Sequence, residues 1–182
     1  MKERLEIVAS GFGGQGVVRF GQILGEAAVK QGFRVTMLKS HGTEMRGGYV
    51  RSQLVLSNKV IGSPMCENPD FFIALSSSAY DRFKDTVPAM GLILYDPEFV
   101  ESIDDNLPCK HKELPAKQLA IDNFNKAIFS NTIALGAMAR LLDGDLEKDV
   151  ILKSILEIIP KFHEENRLAF EVGYKFIHEG SV

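Results

Sequence analysis

The chain has 182 residues, 45% of them hydrophobic and 25% charged, with a formal net charge of -3. That length suits a single domain with a full hydrophobic core over residues 1–182 and is short for two. The slightly acidic balance supplies no field for tracking nucleic-acid phosphates, and no run reaches the roughly 18 apolar residues of a membrane span.

Cys66 and Cys109 lie far apart and form no CxxC pair, which argues against an iron–sulfur cluster or zinc ion held by this chain alone. Met1 to Glu6 carries no apolar stretch of the signal-peptide kind, so a cytoplasmic protein without a disulfide is expected. In chain order, Leu5–Ser10 is a short apolar run bounded by glycine, as in a buried strand. Val17, Phe20, Ile23, Leu24, Ala27 and Ala28 recur at helical spacing as far as Gln31, and Gly32 stops the helix. Phe33–Leu38 is β-branched enough for a second strand. Tyr49–Leu56 alternates, and Ser57-Asn58-Lys59 then turns into Val60-Ile61-Gly62, predicting an antiparallel hairpin within a mixed sheet.

Phe71–Leu75 is continuously apolar, as a central strand requires, and Ser76-Ser77-Ser78 can cap a short helix over 79–84. Gly91–Tyr95 makes the next strand, ended by Asp96-Pro97. Residues 101–108 are polar loop. Beyond them the pattern is helical: Ala116–Phe124, Ile133–Leu142, Glu147–Ile159 and Glu164–His178, the last followed by Gly180. The fold class expected is α/β: one Rossmann-like, doubly wound mixed sheet with an antiparallel hairpin and a helical C-terminal layer.

Between the first strand and first helix stands Gly11-Phe12-Gly13-Gly14-Gln15-Gly16, which satisfies GxGxxG at Gly11, Gly13 and Gly16. Glycine permits a tight turn and close approach of the backbone to a phosphate, while the helix N-terminus attracts an anion. The alternative is a turn that serves only strand–helix packing. A nicotinamide dinucleotide site needs an acid about 20 residues further on for the ribose hydroxyls. Here the second strand ends in Leu38-Lys39-Ser40. A lysine there suits a phosphorylated ribose, as in NADPH or coenzyme A, or it is simply a solvated side chain.

The following segment, His41-Gly42-Thr43-Glu44-Met45-Arg46-Gly47-Gly48, mixes titratable and flexible residues. Arg46 can clamp a phosphate or pair with Glu44. His41 can be a general base or an uninvolved loop residue. No HExxH, GxSxG or GKS/T motif occurs, so the chain holds no self-contained catalytic constellation. Asn131 and Asn166 suit helix capping or packing better than catalysis.

The order GFGGQGVV, LKSHGTEMRGGYVRSQLVLS, VIGSPMCENPDFFIALSSSAYDRF and, later, Asn131 to Gly136 resembles the gamma subunit of 2-oxoacid:ferredoxin oxidoreductases, across essentially the whole chain. Within that family it is most similar to the 2-oxoglutarate:acceptor form. The resemblance implies a non-autonomous subunit of a cytoplasmic enzyme that decarboxylates a 2-oxoacid oxidatively to an acyl-coenzyme A. It implies partner alpha, beta and delta subunits that carry thiamine diphosphate, magnesium and iron–sulfur clusters, with electrons leaving to a ferredoxin-type acceptor. Carried onto this sequence, Gly13, Gly14, Gln15, Gly16, Lys39 and Ser40 become candidate coenzyme A contacts, with Arg46 beside them. Many gamma subunits read Tyr-Gly-Pro-Glu where this chain reads His41-Gly42-Thr43-Glu44. Two other functions fit the same residues: a stand-alone NADP-binding reductase, and a structural interaction subunit whose glycine loop is empty.

Overall fold

The computed structural model describes residues 2–41 and 49–179. Six strands form one sheet: β1 (Arg4–Phe12), β2 (Arg34–His41), β3 (Tyr49–Ser57), β4 (Phe71–Ala74), β5 (Leu92–Tyr95) and β6 (Lys110–Glu113), in the order β2-β3-β1-β4-β5-β6. β3 runs antiparallel to both β1 and β2, while β1, β4, β5 and β6 are parallel. The sheet is therefore mixed. Helices α1 (Val17–Lys30), α2 (Ser77–Phe83), α3 (Ala116–Phe124), α4 (Ser130–Leu141), α5 (Lys148–Ile158) and α6 (His163–Glu179) complete the fold.

Strand alternation divides the core into two layers. Ile7, Ala9, Ile73 and Leu94 face the helical layer that contains α1, α4, α5 and α6, and Val8, Phe72, Ala74 and Ile93 face α2. Successive residues of a strand point to opposite faces, so a strand covered on both sides must be apolar throughout. Each fully buried Val, Leu, Ile or Phe among them contributes about 1.5–3 kcal/mol of transfer free energy, and the alanines less. Two glycines let α4 and α6 touch backbone to backbone: a Cβ on Gly136 would lie 2.0 Å from the Phe170 carbonyl oxygen, and one on Gly173 would lie 1.8 Å from that of Ile133.

Two features differ from the sequence-based expectation. Val60–Gly62 forms no strand. The antiparallel hairpin joins β2 to β3, and β3 also inserts between β1 and β2. The loop after β3 is held to β1 instead: Arg4 donates to the carbonyls of Ser63 and Met65, and the Glu6 carboxylate accepts from the N–H groups of Glu67 and Asn68. The strand β6 was not foreseen, because Lys-His-Lys-Glu has no apolar alternation. It pairs on one side only, and lysine is a usual residue for a short, unpaired edge.

Candidate functional site

The carboxyl ends of β1, β4 and β5 open into a cleft of about 1060 Å³ between the glycine loop and the N-terminal end of α4. This is where open α/β sheets hold ligands. The loop's conformation follows from its glycines. Gln15 N–H donates to the Phe12 carbonyl at 3.3 Å, and Gly14 at φ 92° occupies the third position of that turn. A left-handed third residue marks a type II turn, which glycine adopts without strain. Gly16, at φ 77°, then caps α1. Gly13 and Gly14 are exposed, and a Cβ on either would meet nothing within 4 Å, although the positive φ of Gly14 would strain any other residue there.

The charge of the cleft is suited to an anion. Arg19 and Lys161 line it, with His41 and with Lys117, which is paired with Glu98, and the first turn of α1 contains no acidic residue to oppose the partial positive charge of its N-terminus. One carboxylate, Asp96, also lines it but is committed elsewhere. Its oxygens accept from the N–H groups of Glu98 (3.1 Å) and Lys117 (3.0 Å), capping α3 from the end of β5. Burial pushes the Asp96 carboxyl above its usual range, and those hydrogen bonds pull the other way. The mouth of the cleft is apolar, with Phe12, Ile128 and Phe162 exposed at its rim.

The structure brings Gly13, Gly14, Gln15 and Gly16 together at this cleft. Lys39 and Ser40 do not line it and point to opposite faces of β2, since Lys39 pairs with Ser52 and Ser40 with Arg51. Ser52 lies under Gly21 of α1, so Lys39 shares the α1 face with His41, which does line the cleft. Ser40 faces the other layer, where Arg51 stacks on Phe83 at 4.6 Å; its buried hydroxyl has no hydrogen-bond partner there. Arg46 and Glu44 lie outside the described residues. Asn166 is a buried packing group that accepts from Thr132 and donates to the carbonyls of Lys161 and Phe162.

Sequence reasoning missed Asp96, Arg19, Lys117 and the 127–130 segment. Asp96 carried a usable signal, an acid directly after a strand whose carboxyl end meets the cleft. The others are placed by packing alone. Among the described residues no cluster of three or more His, Cys, Asp or Glu side chains forms a metal site, and no helix is long and apolar enough to cross a membrane.

A glycine turn and helix N-terminus facing a cleft at the carboxyl edge of a mixed sheet define an α/β subunit with a geometry suited to an anion. A family model described as pyruvate ferredoxin/flavodoxin oxidoreductase matches residues 6–176, and the chain belongs to that family. Subunit KorC of 2-oxoglutarate synthase from Methanocaldococcus jannaschii is 36% identical over 184 residues, covering 98% of this chain and 97% of KorC. The gamma subunit of a keto/oxoacid ferredoxin oxidoreductase from Geobacter sulfurreducens PCA superposes with a TM-score of 0.84 at 29% identity, over 97% and 99% of the two chains. A 2-oxoglutarate:ferredoxin oxidoreductase from Magnetococcus marinus, solved with 2-oxoglutarate, coenzyme A and succinyl-CoA bound, shares the fold. It superposes at a TM-score of 0.87 and 22% identity, and this chain spans 32% of that longer one. The chain is thus a gamma-type subunit of a 2-oxoacid:ferredoxin oxidoreductase, a part of an enzyme rather than an autonomous one.

Proposed function

We propose that this subunit, as one gamma-type domain, supplies one wall of a coenzyme A site in a cytoplasmic oxidoreductase that converts 2-oxoglutarate to succinyl-coenzyme A. The observation that carries this reading is the open rim at Gly13 and Gly14, set at the N-terminus of α1 beside Arg19, with no acid in the first turn. A phosphate can approach that backbone closely, and the helix end and arginine favour its charge. Lys39, on the same face as His41, is positioned to serve a second phosphate such as that on the ribose of coenzyme A. Ser40 contributes through its main chain, because its side chain faces away, and Arg46 adds a cation from the segment after β2.

Alpha, beta and delta partners hold the thiamine diphosphate, magnesium and iron–sulfur clusters and pass electrons to a ferredoxin-type acceptor. The scarcity of cysteine and the apolar rim of Phe12, Ile128 and Phe162 support this division. The similarity to KorC over nearly its full length supports 2-oxoglutarate as the substrate.

Hydrogen exchange of the assembled enzyme tests the site. Saturating coenzyme A is expected to protect the amides of Gly13 to Gly16, and Lys39→Ala is expected to weaken coenzyme A more than dephospho-coenzyme A. Unchanged protection of the loop would overturn the assignment.

A further inference from the structure

The Gln15 carboxamide occupies a place that ordinarily belongs to the backbone. Leu75 N–H donates to the Ser10 carbonyl at 2.8 Å, which is one bond of the parallel β1–β4 ladder. The next bond of such a ladder runs from Phe12 N–H to the Leu75 carbonyl. Those two groups instead meet opposite ends of Gln15: Phe12 N–H donates to Oε1 at 2.6 Å, and Nε2 donates to the Leu75 carbonyl at 2.8 Å. A donor on one side and an acceptor on the other fix the orientation of the amide.

We infer that Gln15 is a positioning residue: its side-chain amide is spliced between β1 and β4 as a surrogate peptide unit, holding the strands apart at their carboxyl ends and setting the glycine turn. Three observations join in this. Gln15 N–H also bonds the Phe12 carbonyl, so one residue satisfies both main-chain groups of Phe12. Gly11 is the residue beneath, where a Cβ would lie 2.3 Å from Gln15 Oε1 and 2.7 Å from Leu75 Cβ. Gly13 and Gly14, by contrast, face open space. The motif therefore divides its labour: Gly11 makes room for the amide, Gln15 wedges the ladder, and Gly13 and Gly14 remain bare for a ligand. Gln15 acts on that ligand through the loop, since Oε1 and one of the two Nε2 hydrogens are committed to Phe12 and Leu75.

This inference rests on the coenzyme A reading, and the test separates the two. The assembled enzyme is prepared with Gln15→Ala, Gln15→Asn or Gly13→Val. A wedge is indicated if Gln15→Ala and Gln15→Asn (the same amide one methylene too short) raise the apparent KM for coenzyme A by about tenfold, with kcat at saturation retained within about twofold. Gly13→Val, whose Cβ would meet no protein atom within 4 Å, is expected to raise the same KM by blocking the rim. If Gly13→Val raises KM and both Gln15 variants leave it unchanged, the wedge is overturned and the site stands. If Gly13→Val has no effect, the coenzyme A reading fails, and hydrogen exchange without ligand decides the wedge. Exchange at the Phe12 amide about tenfold faster in Gln15→Ala supports it, since the donor then opens to water. Unchanged exchange, with Phe12 bonding Leu75 directly, overturns it.

Discussion

Replacing Gly173 with alanine sets two physical effects against each other with opposite signs. By helix propensity alone, alanine in the middle of α6 should stabilise the chain by about 1 kcal/mol. The contact with α4 opposes this. The new methyl would sit 1.8 Å from the Ile133 carbonyl oxygen and 2.7 Å from its carbon. An ordinary carbon–oxygen contact is about 3.3 Å or more, so the helices must separate by about 1.5 Å. The obstacle is main chain, so no rotamer change relieves it. Separation also loosens Ile133, Ala137 and Phe170, all fully buried at this layer. Overpacking of this kind costs about 1–3 kcal/mol and occasionally more, and with backbone on both sides the upper part of that range applies. The net expectation is destabilisation of about 2 kcal/mol. For a chain of this size that lowers Tm by about 4–8 °C. Calorimetry of the parent chain and variant measures it, with Gly13→Ala, at an open site, expected to melt within about 1 °C of the parent. A Gly173→Ala chain that melts at or above the parent would mean that α4 and α6 do not need the glycine for their close approach.

Two further expectations concern titratable groups. Burial and the neighbouring Glu6 carboxylate push the Cys66 thiol up to about 12, so at pH near 8 its thiolate fraction and its alkylation by iodoacetamide should both be about a thousandfold below those of an ordinary thiol. Labelling of the native chain within about tenfold of the urea-unfolded rate would contradict this. Burial holds His111, hydrogen-bonded to the Tyr80 hydroxyl at 2.9 Å, below its ordinary value of 6.5 despite Asp104 and Asp105 nearby. The unfolded chain therefore takes up that proton first. Its contribution to stability is complete above 6.5 and is lost as pH falls towards the lowered value. Urea midpoints should drop on acidification in the parent and less so in His111→Gln; equal slopes would count against the assignment.

The parts of the fold that were legible in the sequence are those whose period is set by burial. The helix at Val17–Lys30 and the strand at Phe71–Ala74 follow from apolar spacing, and the Ser76 cap on Ala79 N–H follows from chemistry local to the chain. What escaped depends on distant partners. β6 exists because β5 offers it an edge, a condition that leaves no mark on Lys110 to Glu113. The pairing of β3 was misread because turn residues after Ser57 suggested a local hairpin, whereas β3 has an apolar face suited to a place between β1 and β2. At the site, the glycine loop was legible as a motif, but the use of Gln15 was not. Its partner, the Leu75 carbonyl, is a main-chain atom 60 residues away, and side-chain identity says nothing about it.

The insertion of β3 has a consequence for which ligands the sheet can read. In a dinucleotide-binding sheet the strand that supplies the ribose-binding acid lies directly beside the strand that leads into the glycine turn. Here β2 is two places from β1, and with neighbouring strands about 4.8 Å apart its end is displaced by nearly 10 Å from the turn. A short carboxylate at position 39 would stop well short of a ribose whose phosphate rests on Gly13 and Gly14. A lysine has greater reach. The familiar exchange between nicotinamide cofactors by changing one residue at the end of the second strand has no geometric basis in this fold. The missing acid is a consequence of strand order as much as of chemistry.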